Sequence, residues 1–118
     1  MHDITTHRAP GLNDFIRIQA MNEPGVGNAN SEYIAYYAEG KSILIKFQTG
    51  PVTKGKPNGL SDEALLAIVA DRLINLQNGD FACQENVLAL MKIQEAIQLL
   101  KDRTEVRAVG GVGGTPTK

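Results

Sequence analysis

SDEALLAIVADRLINLQNG (residues 61–79) is where the chain changes its hydrophobic period. Ser61 is a good helix N-cap, and Asp62 and Glu63 place negative charge at the positive end of a helix dipole. Leu65, Leu66, Ile68, Val69, Leu73 and Leu76 recur at helical spacing. Asn78-Gly79 then offers residues that tolerate the left-handed conformation common at helix ends. Downstream, the pattern predicts a second helix from about Cys83 to Val106. Its apolar set of Val87, Leu88, Leu90, Met91, Ile93, Ile97, Leu99 and Leu100 is wider than one stripe. Such a helix should face both its own sheet and something else. A helix of another copy is the economical partner, and a second face of the same core is the alternative. From Ala108 onward glycine dominates, and regular structure should stop.

Upstream the period is two. Ile16, Ile18 and Ala20 fall on one face and Arg17 and Gln19 on the other, as in a half-buried strand. Asn22 to Asn30 holds Pro24, Gly25 and Gly27 and reads as a loop. Tyr33–Tyr37 and Lys41–Phe47 read as two strands, with Glu39-Gly40 as a tight hairpin connection. Thr49 to Gly59 should be irregular, with room for a short edge strand. The expected fold class is α+β: an N-terminal antiparallel sheet followed by a two-helix hairpin packed on it. The expected boundaries are a flexible leader at 1–12, a single domain at 13–108 and a Gly-rich tail at 109–118. Within the domain the sheet should occupy about 13–57 and the helices about 61–106.

With 118 residues the chain is long enough for one domain and too short for two. Its 42% hydrophobic and 21% charged residues make an ordinary globular mixture. A net charge of -1 argues against polymeric nucleic acid as a partner, because a broad basic surface is missing. A pocket for a small anion needs only two or three local cations. No apolar run approaches the length of a membrane span, and Met1 to Leu12 lacks the apolar core of a signal peptide. Cys83 is the only cysteine, so no intrachain disulfide is expected, which suits a reducing cytoplasm.

The two histidines, His2 and His7, fall in the polar leader, where nothing in the sequence would hold them rigidly. A histidine-dependent triad or metal site is therefore not expected. Asp62, Glu63, Asp71, Glu85 and Glu95 leave carboxylate chemistry open, although on helices such residues are mostly solvated. Gly50-Pro-Val-Thr-Lys-Gly55-Lys56 nearly spells a phosphate-binding Walker loop, but Pro57 stands where the magnesium-binding hydroxyl belongs. Gly25-Val-Gly27 lacks a strand-to-helix context and is better explained as turn geometry. Arg103 and Arg107 sit four apart near the end of the second helix and share a face. They either complement the negative helix terminus or present a pair of forks to an anion. Gly110-Gly-Val-Gly-Gly114-Thr115 is either a disordered tail or a nest of backbone N–H groups around an anion. Asn86, beside Phe81 and Cys83, carries an amide able to read a base edge, with plain solvation as the alternative.

The stretches FIRIQAMNEPGVGNAN (15–30), IKFQTGP (45–51), EALLAIVADRL (63–73), FACQENVLAL (81–90) and Arg103 to Thr115 together resemble the Thoeris anti-defense sponge family. That family shares a C-terminal domain with a phage anti-CBASS sponge. The resemblance implies a non-enzymatic phage protein acting in the cytoplasm of the infected bacterium. It implies binding of the glycocyclic ADP-ribose messenger without cleavage, in a pocket between subunits of a dimer or hexamer. It further implies a messenger site at Asn86 and Arg103, with Leu76 and Phe81 beside the base. Relatives often carry an aromatic residue at the position of Leu76, and leucine offers contact without a π-face. Arg107, Gly111, Val112, Gly114 and Thr115 match a tail motif that takes cyclic di- or trinucleotides, although Gly110 and Gly113 replace its Arg and Glu. No cofactor or metal is implied. Two other functions fit the residues: a cyclic-nucleotide hydrolase, and a module binding another protein through its apolar helix face.

Overall fold

A computed structural model describes residues 1–52 and 54–109, the side chains at positions 26 and 105–109 excepted. The order of elements is β1 (His2–Ile4), α1 (Leu12–Phe15), β2 (Arg17–Ala20), β3 (Glu32–Ala38), β4 (Lys41–Lys46), α2 (Asp62–Gln77) and α3 (Gln84–Val109). A four-stranded antiparallel sheet thus precedes two helices, and the fold class is α+β. The described residues fall into two compact units, 1–60 and 61–109.

In the first unit the strands follow one another as a meander, β1-β2-β3-β4. The registers Ile4↔Ile18, Ile18↔Ala35 and Ala35↔Ile43 put those residues on one face with Ala20, Tyr33 and Ile45. The alternation read from Ile18 and Ala20 therefore holds. Ala20 is completely buried, and Tyr33 meets Phe47 edge-to-face at 5.7 Å between ring centroids. On the opposite face the Arg17 guanidinium lies 4.6 Å from the Tyr36 ring centroid, a cation–π pair between cross-strand neighbours. Glu39-Gly40 makes the two-residue hairpin loop, and Gly40 takes a φ of +69° that glycine adopts at no steric cost. A bulge at Tyr37 precedes it.

Residues 1–12 are not a loose leader throughout. His2–Ile4 adds an edge strand to β2, and His7 Nε2–H donates to the Ile16 carbonyl at 2.7 Å. Arg8 pairs with Asp14 at 3.2 Å across the short helix α1, which also takes Phe15 out of the strand. His7 is thus held against the sheet unit. Isolated cross-strand partners of this kind leave no periodic mark in the sequence.

Asn22 closes the loop between β2 and β3. Its Nδ2 donates to Ser31 Oγ at 2.7 Å, and its Oδ1 accepts from the Ser31 and Glu32 N–H groups at 3.1 and 3.3 Å. Gly27 and Asn28 take positive φ of 73° and 64°, so this glycine loop serves turn geometry. After β4 a parallel bridge joins Phe47 to Leu60, with Gln48 N–H donating to Leu60 O at 2.8 Å. The buried Gln48 accepts from Asn58 N–H at 2.8 Å. Asn58 in turn exchanges two hydrogen bonds with the Thr49 backbone, at 2.8 and 2.9 Å. The residues flanking the near-Walker stretch are thus tied together through Gln48, Thr49 and Asn58, and the next helix begins only at Asp62.

The second unit is an α-helical hairpin in which α2 packs on α3. Ser61 Oγ accepts from Ala64 N–H at 3.0 Å, the N-cap expected of it. The helix ends at Gln77 as the Asn-Gly pair suggests, but by another route. Asn78 stays at φ −90° and ψ 2°, and its N–H returns to Asn75 O at 3.1 Å. Gln77 Oε1 then accepts from Cys83 N–H at 2.9 Å and fixes the entry to α3. Along α3 the half-buried residues are Asn86, Leu90, Ile93, Ala96, Ile97, Leu100 and Arg103, at the three- and four-residue steps of one helix face. The apolar residues Val87, Leu88, Met91 and Leu99 are outside that stripe and exposed. No helix among the described residues is long and apolar enough to cross a membrane.

Candidate functional site

The expected messenger residues occupy both ends of the helical hairpin. Leu76 lies in the last turn of α2, half-buried, and Asn86 in the first turn of α3. Asn86 Nδ2 donates to the Phe81 carbonyl at 3.3 Å, so the amide braces the connecting loop. A primary amide has two donor hydrogens and an acceptor oxygen, and this bond uses one donor. Phe81 is 79% exposed. Leu76, Phe81 and Asn86 thus lie at one end of the hairpin, on and beside the loop that joins α2 to α3.

Arg103 belongs to the other end. It stands 17 residues beyond Asn86 along a continuous helix, about 25 Å away at 1.5 Å per residue. One mononucleotide-sized ligand cannot touch both residues within one chain. Arg103 is half-buried, with Nη2 3.8 Å from Asp62 Oδ2 in the first turn of α2. Its Nε has no hydrogen-bond partner and no exposed surface. The Asp62 contact is one that sequence reading missed, since a helix-start carboxylate is already explained by the dipole.

The tail site of Arg107, Gly111, Val112, Gly114 and Thr115 cannot be built in the same way. Arg107 falls within the backbone of α3, one residue past the expected helix end, and its side chain is outside the described residues. Positions 111 to 115 also lie outside them. Among the described residues no group of His, Cys, Asp and Glu has the arrangement of a metal site.

The second unit is a two-helix hairpin, and its class is that of hairpin-domain proteins. The family model "Acb2/Tad1, hairpin domain" matches residues 39–104, more than half of the chain and a span within which Leu76, Phe81, Asn86 and Arg103 lie. The chain belongs to this family, the one its sequence resembles. A relative named Thoeris anti-defense 1, from Bacillus phage SBSphiJ7, is 41% identical over 92 residues. The aligned part is 78% of this chain and 64% of that relative, so the chain spans less than two thirds of the relative's length.

Proposed function

We propose that this chain is a phage anti-defense protein that binds the cyclic ADP-ribose-type messenger of Thoeris and holds it uncleaved in the cytoplasm of the infected bacterium. The observation that carries the proposal is the pairing of an exposed Phe81 and the Asn86 amide at one hairpin end with Arg103 at the other. Aromatic face, amide and guanidinium are the groups that would meet adenine, its edge and a pyrophosphate. The similarity to a relative named Thoeris anti-defense 1 supports the anti-defense role. A sponge of this kind lowers free messenger by mass action and needs no catalytic group.

The separation of Asn86 from Arg103 makes the proposed pocket a shared one, with one end of each hairpin supplied by a different copy. The surface supports self-association. Among the described residues the buried apolar side chains are Ala20 and Ala70, while Ile68, Val87, Leu88, Met91 and Leu99 are 42–68% exposed. That much apolar surface in contact with water favours pairing. A dimer is the smallest assembly that would complete two pockets, and a hexamer would hold three such pairs. Cyclic di- and trinucleotides remain proposed ligands of Arg107 and the Gly-rich tail.

Native mass spectrometry of the protein with cyclic ADP-ribose isomers and cyclic oligonucleotides tests this directly, reporting ligand mass and copy number together. The expected result is an oligomer carrying intact cyclic ADP-ribose isomer, released unchanged on heating. Recovery of an opened product would replace sequestration with hydrolysis. Absence of any ligand adduct would leave the exposed helix face as a docking surface for another protein.

A further inference from the structure

The first turn of α2 meets the last fully described turn of α3 through two consecutive residues on each side. Arg103 Nη2 is 3.8 Å from Asp62 Oδ2, and Thr104 Oγ1 is 3.5 Å from Glu63 Oε2 while lying 3.1 Å from the Leu100 carbonyl oxygen. At 3.8 Å the Arg103–Asp62 pair is held by charge and makes no hydrogen bond, so the Nη hydrogens keep their directional capacity. The Arg103 side chain is 32% exposed and that of Asp62 51% exposed. Among the described residues Nε is turned inward without a partner, so none of them fixes the plane of the guanidinium through that atom. Asp62, by contrast, stands on a helix start pinned by the Ser61 cap. An arginine serves an anion well only when its long side chain is already held near the bound geometry.

Resting on the assignment of Arg103 to the messenger pocket, we infer that Asp62 is a positioning residue for Arg103. Its carboxylate anchors the Nη2 edge from α2 and keeps the guanidinium presented to a phosphate or carboxylate oxygen of the ligand. Asp62 itself does not touch the ligand. Glu63 fills a supporting place beside Thr104.

A double-mutant cycle read by calorimetry with cyclic ADP-ribose isomers separates this role from its rivals. Asp62→Ala is expected to weaken binding about fivefold, the size of effect a half-exposed ion pair can have, and to have no effect in an Arg103→Ala background. Asp62→Glu, which keeps the carboxylate, should restore affinity to within about twofold of the unsubstituted protein. Melting curves of each variant establish that the hairpin is intact. Equal weakening in both backgrounds would overturn the inference, because the loss would not pass through Arg103. Tighter binding by Asp62→Ala would also overturn it, making Asp62 a competitor of the ligand. A failed rescue by Asp62→Glu in an intact hairpin counts against it in the same way. If the unsubstituted protein binds no cyclic ADP-ribose isomer, the proposed function falls and the inference falls with it. If it binds and the cycle is additive, only the inference falls.

Discussion

Gly59 lies against the Phe47 backbone so closely that a Cβ there would stand 2.4 Å from the Phe47 carbonyl carbon and 2.5 Å from its oxygen. Both atoms are rigid backbone held by the bridge between Phe47 and Leu60. Gly59→Ala must therefore push the two segments apart and strain the Gln48–Leu60 and Leu60–Lys46 hydrogen bonds. The expected loss is about 2 kcal/mol, as for an overpacked core position. Urea denaturation reads it as a lower midpoint at unchanged slope. An unchanged midpoint would mean that the strand-end pairing does not persist in solution.

Asn22→Ala removes four hydrogen bonds from a half-buried loop closure, one of them a long one from Asn30 Nδ2, and leaves the Ser31 and Glu32 N–H groups without their side-chain acceptor. A cost of about 2 kcal/mol is expected, mostly from those stranded donors. Asn22→Asp keeps the acceptor and loses only the donation to Ser31, so it should cost less. Thermal melts of the two variants rank them, and equal melting temperatures would show that the acceptor role is not the important one.

The chemistry of this chain was readable wherever its residues act locally. Ser61 as a cap, the Glu39-Gly40 turn and the alternation of Ile18 and Ala20 each follow from neighbours a few residues away. The anchoring of His7 is invisible in the sequence because its partner, the Ile16 carbonyl, is a backbone group that no side-chain pattern announces. Within the flexible leader expected at 1–12, His2–Ile4 forms an edge strand whose three residues are too short to show a period. Of the site, spacing alone left Asn86 and Arg103 open between solvation and binding. Family resemblance proposed them, and the helix length between them adds that one chain cannot bring them to one small ligand. The contact of Asp62 with Arg103 leaves no mark in the sequence, because antiparallel packing of two helices, rather than sequence proximity, sets Asp62 beside a residue 41 positions later.

Leu76→Phe tests whether the apolar end of the hairpin covers a base. Leu76 is half-buried in the last turn of α2, near the loop that carries Phe81. A phenyl ring there would supply the π-face that leucine lacks. Affinity for a cyclic ADP-ribose isomer should rise about threefold to tenfold if the base stacks on it. Competition binding against the unsubstituted protein measures the ratio. No gain would assign the base to Phe81 alone or to another copy's residues.

Mixing two weakened variants tests the shared pocket most sharply. Asn86→Ala and Arg103→Ala should each weaken binding about tenfold to thirtyfold when pure, because every pocket then lacks one of its two ends. In a two-fold assembly each pocket takes Asn86 from one copy and Arg103 from the other. A mixed dimer of the two variants therefore contains one pocket with both groups intact and one with neither. Random exchange makes half the dimers mixed, so about a quarter of all pockets should recover full affinity. Titration of the equimolar mixture after unfolding and refolding together would show that fraction as a distinct tight class of sites. If the mixture binds no better than either variant alone, the two residues do not meet across copies. Their separation of 17 helical positions would then have to be reconciled with two separate sites.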